Sequence, residues 1–195
     1  MYQVIGGVRS RAMRVLWMLE ELGEPFEHVQ ASPGSAEVKA INPSGKVPVL
    51  VVDGTPITDS SAILTYLADK HGALTFPPGT LERARQDGLM HKVLDELDAV
   101  LWTAARHSFV LPEDQRMPEI KGPLKWEFVR SCDSLTEAMG DGPYLMGETF
   151  TIADIVCAHC LNWAINAKFA FENEALRAYL DRCRDRAAFK RAASL

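Results

Sequence analysis

The chain has 195 residues, of which 47% are hydrophobic and 24% are charged, and its formal net charge is -5 at pH 7. These values are ordinary for a globular protein, and the length allows one large domain or two small ones. No apolar run reaches the roughly 18 residues that span a bilayer. The negative net charge gives no general attraction to nucleic acid or to an anionic membrane. The first residues lack the pattern of a secretory signal, so a cytoplasmic location is the default expectation.

Residues 1–75 alternate between strand and helix patterns, in the predicted order β-α-β-α-β-β-α. Apolar residues from Val15 to Leu22 recur at the spacing of one helix face, and Gly23 ends that helix. Asp53-Gly54, between two strand patterns, is a strong signal for a two-residue hairpin. The predicted elements lie at residues 2–5, 15–22, 26–30, 35–41, 47–52, 55–58 and 59–71.

Residues 76–82 contain Pro77-Pro78-Gly79 and show no periodicity, so we interpret them as a linker between domains at 1–75 and 83–195. No convincing strand pattern follows, and the second domain is predicted to be all-helical. Thr151-Ile152-Ala153-Asp154 predicts a capping box at the start of a helix that is apolar nearly all round and therefore central. The predicted helices lie at 81–107, 119–139, 151–165, 172–182 and 185–193.

All four cysteines, Cys132, Cys157, Cys160 and Cys183, lie in the C-terminal half. Cys157 and Cys160 have the C-x-x-C spacing of some metal and redox sites. They fall in an apolar helical run with no second ligand pair nearby, and free cysteine is among the most buried residue types. We therefore interpret them as buried structural thiols and expect no metal. No cysteine lies near the first helix, where a thioredoxin-like redox site needs one, which argues against a disulfide reductase.

Two neighbouring stretches, residues 42–50 and 59–63, are the most informative part of the sequence. The first combines a tight turn with Val47-Pro48 at the mouth of an apolar strand, and in the second Asp59-Ser60 opens a helix. The start of a helix attracts anions because its first N–H groups have no partner within the helix. Together the two stretches could bind a small peptide that carries both an amino group and a carboxylate.

Four stretches, in this order, resemble motifs of the cytosolic glutathione transferase superfamily, and the resemblance covers essentially the whole chain. They are the first helix at residues 10–23, the cis-proline segment Asn42-Pro43-x-Gly45-Lys46-Val47-Pro48-x-Leu50, the glutathione-anchoring turn Asp59-Ser60-x-Ala62-Ile63-x-x-Tyr66-Leu67, and the C-terminal capping motif Gly147-Glu148-x-Phe150-Thr151-Ile152-Ala153-Asp154-Ile155. In the family, the acid of the anchoring turn is more often Glu.

The resemblance implies the glutathione transferase fold, with an α/β thioredoxin-like N-terminal domain and an all-α C-terminal domain. It implies a transferase that activates the glutathione thiolate for attack on a small electrophile, a reaction of detoxification. It also implies a homodimer in which the N-terminal domain of one subunit meets the C-terminal helices of the other.

The resemblance further implies how glutathione, as co-substrate, is bound. A cis peptide bond before Pro48 would turn the Val47 N–H and C=O outward to pair with the cysteinyl backbone. Ser60 and the helix N–H groups would bind the γ-glutamyl carboxylate, and Asp59 would accept from the γ-glutamyl ammonium. Lys46 could meet the glycyl carboxylate. Without a ligand, the same residues would be a helix N-cap, an ordinary turn and a solvated lysine.

Activation of glutathione requires its thiolate, so a donor or a positive charge must lower the thiol pKa from about 8.5. Family members place a Tyr, Ser or Cys at the start of the first helix, where this chain has Ser10 between Arg9 and Arg11. Ser10 is the preferred donor. Some subfamilies place the residue at the position of Arg9, and then Arg9 or Arg11 would act by charge. The alternatives are an N-cap for Ser10 and a solvated face for the arginines.

The second substrate is expected between the N-terminal domain and the first C-terminal helices, against Trp102, Arg106 and His107. Their composition suggests a polar or anionic electrophile, although a structural or surface role suits His107 as well. Glutathione-dependent isomerisation, dehalogenation or peroxide reduction on the same site are alternative activities. A noncatalytic glutathione-binding or assembly module is the alternative outside enzymes.

Overall fold

The structure is a computed structural model that describes residues 1–195. One sheet contains the strands β1 (Tyr2–Ile5), β2 (Phe26–Val29), β3 (Val49–Val52) and β4 (Thr55–Thr58). The α-helices are α1 (Ala12–Leu22), α2 (Ala36–Ile41), α3 (Ser60–His71), α4 (Leu81–Val93), α5 (Ala99–Ala105), α6 (Lys121–Met139), α7 (Ile152–Asn166), α8 (Glu174–Asp185) and α9 (Ala187–Ala193). The order β-α-β-α-β-β-α followed only by helices confirms the predicted fold class.

The strand order in the sheet is β2-β1-β3-β4. β1 runs parallel to β2 and antiparallel to β3, and β4 is antiparallel to β3. A parallel pair needs a crossover connection, which α1 supplies. The turn between β3 and β4 consists of Asp53 and Gly54, whose φ angles of 49° and 84° suit a two-residue hairpin. Ile5, at the end of β1, lies opposite Val29 and Val49, so the sheet ends in apolar residues where the chain turns towards α1.

Contacts divide the chain into two units, which we call the N-terminal unit (residues 1–78 and 184–195) and the helical unit (residues 79–183). The sequence analysis assigned residues 83–195 to the second domain, whereas residues 184–195 belong to the N-terminal unit. The reason is that Phe189 of α9 packs edge-on against Trp17 of α1, with ring centroids 4.9 Å apart.

The helix predicted at 81–107 is a continuous helical path that is not α-helical throughout. A π-helical turn at Leu94–Asp98 separates α4 from α5, and a second one at Arg106–Val110 follows α5. In the second turn, the Leu111 N–H donates to the Arg106 carbonyl oxygen over 3.0 Å. A single extra residue in a turn changes the spacing of apolar residues too little to be read from the sequence.

The helix α7 is buried over Ile152–Ala158, as its all-round apolar pattern predicted. The predicted capping box is confirmed, because the Asp154 carboxylate accepts from the Thr151 N–H over 2.7 Å and the Thr151 side chain accepts in return from the backbone of the first turn. All four cysteines are buried free thiols. None of the helices combines the length and apolar character that crossing a bilayer requires.

Candidate functional site

The end of β1, the start of α1 and Val47 meet at Gly6. Gly6 has a φ angle of +135°, and a Cβ atom built there would lie 2.9 Å from the Cβ atoms of both Ala12 and Val47. Contacts that short exclude a side chain, and the positive φ also favours glycine. The fold therefore brings the turn before α1 next to the proline segment, although the two are far apart in the sequence.

Asn42 organises the turn that leads into the proline segment. Its Nδ2 donates to the Lys46 carbonyl oxygen over 2.9 Å, and its Oδ1 accepts from the N–H and the hydroxyl of Ser44 over 3.2 and 2.9 Å. Gly45 has a φ of +68°, and a Cβ there would come within 3.2 Å of the Gly34 Cα. The Val47–Pro48 peptide bond that follows is cis.

Asp59 caps the N-terminus of α3. Its Oδ1 accepts from the N–H groups of Ser61 and Ala62 over 2.9 and 3.1 Å, and also from the Ser61 hydroxyl. Burial raises the pKa of Asp59, but these hydrogen bonds and the positive charge of Arg14 outweigh it, so the pKa lies below its ordinary value of 3.8. Asp59 is therefore an anion near neutral pH.

Ser60 joins the start of α3 to α1. Its side chain is buried, and its Oγ accepts a hydrogen bond from Nη1 of Arg14 over 3.1 Å. Because the oxygen accepts this bond, the hydroxyl proton can be donated to an anion. Asp59 already occupies the N–H groups of Ser61 and Ala62, so this end of α3 has fewer donors to offer than the sequence suggested. The donors for an anion are the Ser60 N–H and hydroxyl, with the charge of Arg14 behind them.

Ser10 has the hydrogen bonds of a cap at the start of α1. Its hydroxyl donates to the Gly7 carbonyl oxygen over 2.7 Å and accepts from the Ala12 N–H over 3.1 Å. Arg9 is exposed and Arg11 is half-buried. The residues predicted to act on the thiol thus lie together in one turn, and the Ser10 hydroxyl proton is directed to a backbone carbonyl.

The remaining predicted site residues differ in how firmly they are held. Lys46 is exposed, as expected of a lysine in a solvated turn. In the helical unit, Arg106 donates from Nη2 to the Thr103 hydroxyl over 3.0 Å, while its buried Nε has no partner. His107 accepts from the Met117 N–H through Nδ1 over 3.1 Å. Trp102 is half-buried.

Sequence reasoning treated Arg14 only as a neighbour of Ser10, yet Arg14 is 1% exposed and is the side chain that contacts Ser60. A signal was present in the sequence. Arg14 lies four residues before Met18, and residues four apart share a helix face. Because Met18 belongs to the apolar stripe of α1, that spacing predicted a buried position. A buried guanidinium needs a polar partner, which would have pointed to a neighbouring polar element.

Comparison with known proteins identifies the family. Residues 9–70 match the family model for the glutathione S-transferase N-terminal domain, and residues 127–182 match that for the C-terminal domain. A glutathione S-transferase from Escherichia coli is 30% identical over 151 residues, which are 75% of this chain and 72% of that protein. The chain belongs to the glutathione S-transferase family, in the cytosolic superfamily.

Solved structures agree at the level of the fold. A crystal structure of a glutathione transferase from Methylococcus capsulatus superimposes with a TM-score of 0.87 at 25% identity, covering 100% of this chain and 98% of the other. Relatives also include a protein of a different function. Elongation factor 1-gamma from Trypanosoma cruzi is 28% identical over 69% of this chain, which corresponds to 32% of that protein.

No group of three or more His, Cys, Asp or Glu side chains is arranged to hold a metal ion.

Proposed function

We propose that the protein is a glutathione transferase that activates the glutathione thiolate for attack on a small electrophile. The observation that carries the proposal is the polar array at the start of α3, where Arg14 supports Ser60 beside the ionised Asp59. This array offers a donor pair for a carboxylate and an acceptor for an ammonium group within one turn. The γ-glutamyl end of glutathione carries both groups on one carbon.

The rest of the tripeptide would lie along the neighbouring proline segment. Val47 lies next to Gly6, at the turn before α1. The Val47 main chain forms no hydrogen bond within the protein that would compete with the cysteinyl backbone of glutathione. Pro48 is buried and leads directly into β3, so the proline segment is held in place by the sheet. Lys46 is exposed and therefore free to reach the glycyl carboxylate.

The thiolate would be stabilised at the turn before α1. In our proposal, the Ser10 hydroxyl proton turns from the Gly7 carbonyl oxygen to the glutathione sulfur, and Arg11 or Arg9 adds positive charge. The thiol proton leaves to solvent. In a substitution, sulfur then forms a bond to the electrophilic carbon while the leaving group departs with its bonding electron pair.

We assign the second substrate to Trp102, Arg106 and His107 of the helical unit. The positive charge of the Arg106 guanidinium, which donates to Thr103, favours an electrophile that carries a polar or anionic group. The proposal can be tested with two aryl halides that differ only by a carboxylate. The variant Arg106→Met should lose turnover of the carboxylate-bearing compound while keeping that of the neutral one.

Glutathione-dependent isomerisation, dehalogenation and peroxide reduction would use the same thiolate and stay as alternatives. The relationship to elongation factor 1-gamma keeps a noncatalytic binding or assembly role open as the second candidate. A homodimer and a cytoplasmic location, both expected from the resemblance to the cytosolic superfamily, belong to the same proposal.

Retention on immobilised glutathione, together with turnover of an aryl halide, tests the proposal. Retention with turnover supports the transferase, retention without turnover supports the binding module, and no retention contradicts both. The ultraviolet absorbance of the bound thiolate, followed against pH, then tests the donor. We expect Ser10→Ala to raise the thiol pKa of bound glutathione; an unchanged pKa would transfer the role to Arg9 or Arg11.

A further inference from the structure

The C-terminal residues 186–189, which we call the clamp, hold the second half of α1. The carboxylate of Glu21 accepts two parallel hydrogen bonds from the Arg186 guanidinium, over 2.6 and 2.7 Å. The same carboxylate accepts from the Trp17 indole N–H over 2.9 Å, and the Trp17 ring packs against Phe189. The clamp therefore contacts α1 by an ion pair and by an aromatic contact at the same place.

The Glu21–Arg186 pair is well shielded from water. The side chain of Glu21 is 9% exposed and that of Arg186 is 27% exposed. A bidentate pair of this kind fixes both the distance and the orientation of its two groups. A second pair, Arg191 of α9 with Glu20 of α1, is more open, with exposures of 54% and 19%. Solvent-exposed ion pairs contribute little to stability, so the second pair serves as a control for the first.

The clamp and the proposed glutathione site contact the same face of α1. Arg14, Trp17 and Glu21 lie at positions i, i+3 and i+7, which share one side of a helix. Glu21 is about 10 Å along the axis from Arg14, at 1.5 Å per residue. Because α1 is short and rigid, a rotation or tilt released at Glu21 would move the Arg14 guanidinium away from Ser60.

We propose that the clamp is a positioning element for the glutathione site, with Glu21 and Arg186 as positioning residues that act through α1 and Arg14. This inference rests on the proposed function for its ligand. Its structural half does not depend on the ligand: loosening the clamp should loosen the start of α1 and its bond to α3, and not only the residues that touch the clamp.

The variants separate positioning from simple destabilisation. Arg186→Met keeps the aliphatic stem but leaves the buried Glu21 charge without its ion-pair partner, which destabilises a protein by itself. The double variant Glu21→Gln with Arg186→Met removes that charge and keeps an acceptor for the Trp17 N–H. Arg191→Met removes the exposed pair and is the matched control.

We expect the double variant to recover most of the unfolding midpoint that Arg186→Met loses, while its dissociation constant for reduced glutathione stays raised by about tenfold. Arg191→Met should bind glutathione like the unmodified protein. A double variant that recovers both the midpoint and the affinity would show that the clamp only stabilises, and would overturn the inference.

A second readout needs no glutathione. In the double variant, hydrogen exchange at the Met13, Arg14 and Ile63 amides, which close the first turns of α1 and α3, should be about tenfold faster. Faster exchange confined to residues 17–22 would overturn the inference. If the unmodified protein fails to bind glutathione, the proposed function fails, and the exchange measurement still decides whether the clamp positions α1.

Discussion

Ser60 has two hydrogen-bonding roles that a single hydroxyl can fill at once. Its oxygen accepts from the buried Arg14, which removes part of the cost of placing a guanidinium where only 1% of the residue is exposed. The same bond leaves the hydroxyl proton for an incoming anion. Removal of the hydroxyl should therefore affect both the ligand and the protein, and the two effects can be measured separately.

We predict that Ser60→Ala raises the dissociation constant for reduced glutathione by about tenfold to a hundredfold, the effect of losing one hydrogen bond to a charged group. Calorimetric titration measures the change. Ser61→Ala is the matched control, because the Ser61 hydroxyl donates to Asp59 and not to the proposed carboxylate position. Equal weakening in the two variants would contradict a specific role for Ser60.

The junction of β1 and α1 is the element that places the candidate site, and Gly6 is the position most sensitive to change. A Cβ atom at Gly6 would lie 2.9 Å from the Cβ atoms of both Ala12 and Val47, so these side chains would have to move away. The neighbouring Gly7 offers a control, since the nearest atom to a Cβ there, Nε2 of Gln30, is 3.9 Å away. The close approach is therefore a property of one glycine and not of the whole turn.

We predict that Gly6→Ala lowers the free energy of unfolding by about 2–4 kcal/mol, because it combines a disfavoured φ with overpacking. Gly7→Ala should change it by less than about 1 kcal/mol. Denaturant titrations of both variants measure the difference. Similar losses of stability in the two variants would mean that the turn can accept a side chain at Gly6 without moving α1 or Val47.

At the start of α7, the buried Asp154 carboxyl is a titrating group in the helical unit. Burial raises the pKa of Asp154 from 3.8 to about 6, although hydrogen bonds from Leu145, Thr151 and Tyr179 act in the opposite direction. The folded protein therefore keeps a proton that the unfolded chain loses between about pH 4 and about pH 6. The stability from this proton is complete below the unfolded pKa of 3.8 and is lost as the pH rises through about 6.

We predict that the unmodified protein gains stability relative to Asp154→Asn on going from about pH 7 to about pH 4, by up to about 3 kcal/mol. Urea titrations at several pH values measure the difference in stability between the two proteins. The contributions of the other titrating groups cancel in this difference, because both proteins contain them. An NMR titration of the Asp154 carboxyl carbon gives the pKa directly. A midpoint below its ordinary value would mean that the hydrogen bonds from Leu145, Thr151 and Tyr179 prevail over burial.

Local patterns in the sequence predicted the elements well. The hairpin at Asp53-Gly54 and the capping box of Thr151 and Asp154 are interactions between residues close in the chain, so their residue types carry the signal. The contact of Arg14 with Ser60 was not predicted, because it joins residues 46 positions apart in the sequence, which only the fold brings together. For Ser10, a role as a helix N-cap was the stated alternative to a role as thiolate donor. The sequence does not separate the two roles, because the same residue type at the same position suits both.

At the scale of the whole molecule, both ends of the chain belong to one unit. Residues 1–78 and 184–195 form the N-terminal unit, and residues 79–183 form the helical unit. This return could not be read from the sequence, because the helices predicted at 172–182 and 185–193 indicate that both segments are helical but not which unit each one contacts. What brings the end of the chain back is contact with α1 through Phe189, Arg186 and Arg191. Such contacts join residues too distant in sequence for periodicity to predict.

The distribution of thiols leads to a prediction for the whole chain. All four cysteines are buried free thiols in the helical unit. Burial raises the pKa of Cys132 to about 12, and burial raises that of Cys157 well above its ordinary value. Because the thiolate is the reactive form, none of these side chains should react quickly while the protein is folded. In the proposed reaction, the reactive sulfur is that of glutathione.

We predict that a chromogenic disulfide reagent modifies no cysteine rapidly in the native protein and all four after denaturation. The absorbance of the released thiol, followed in buffer and in concentrated urea, measures both numbers. A thiol that reacts at once in buffer would contradict the burial of the helical unit and would give the protein a nucleophile of its own.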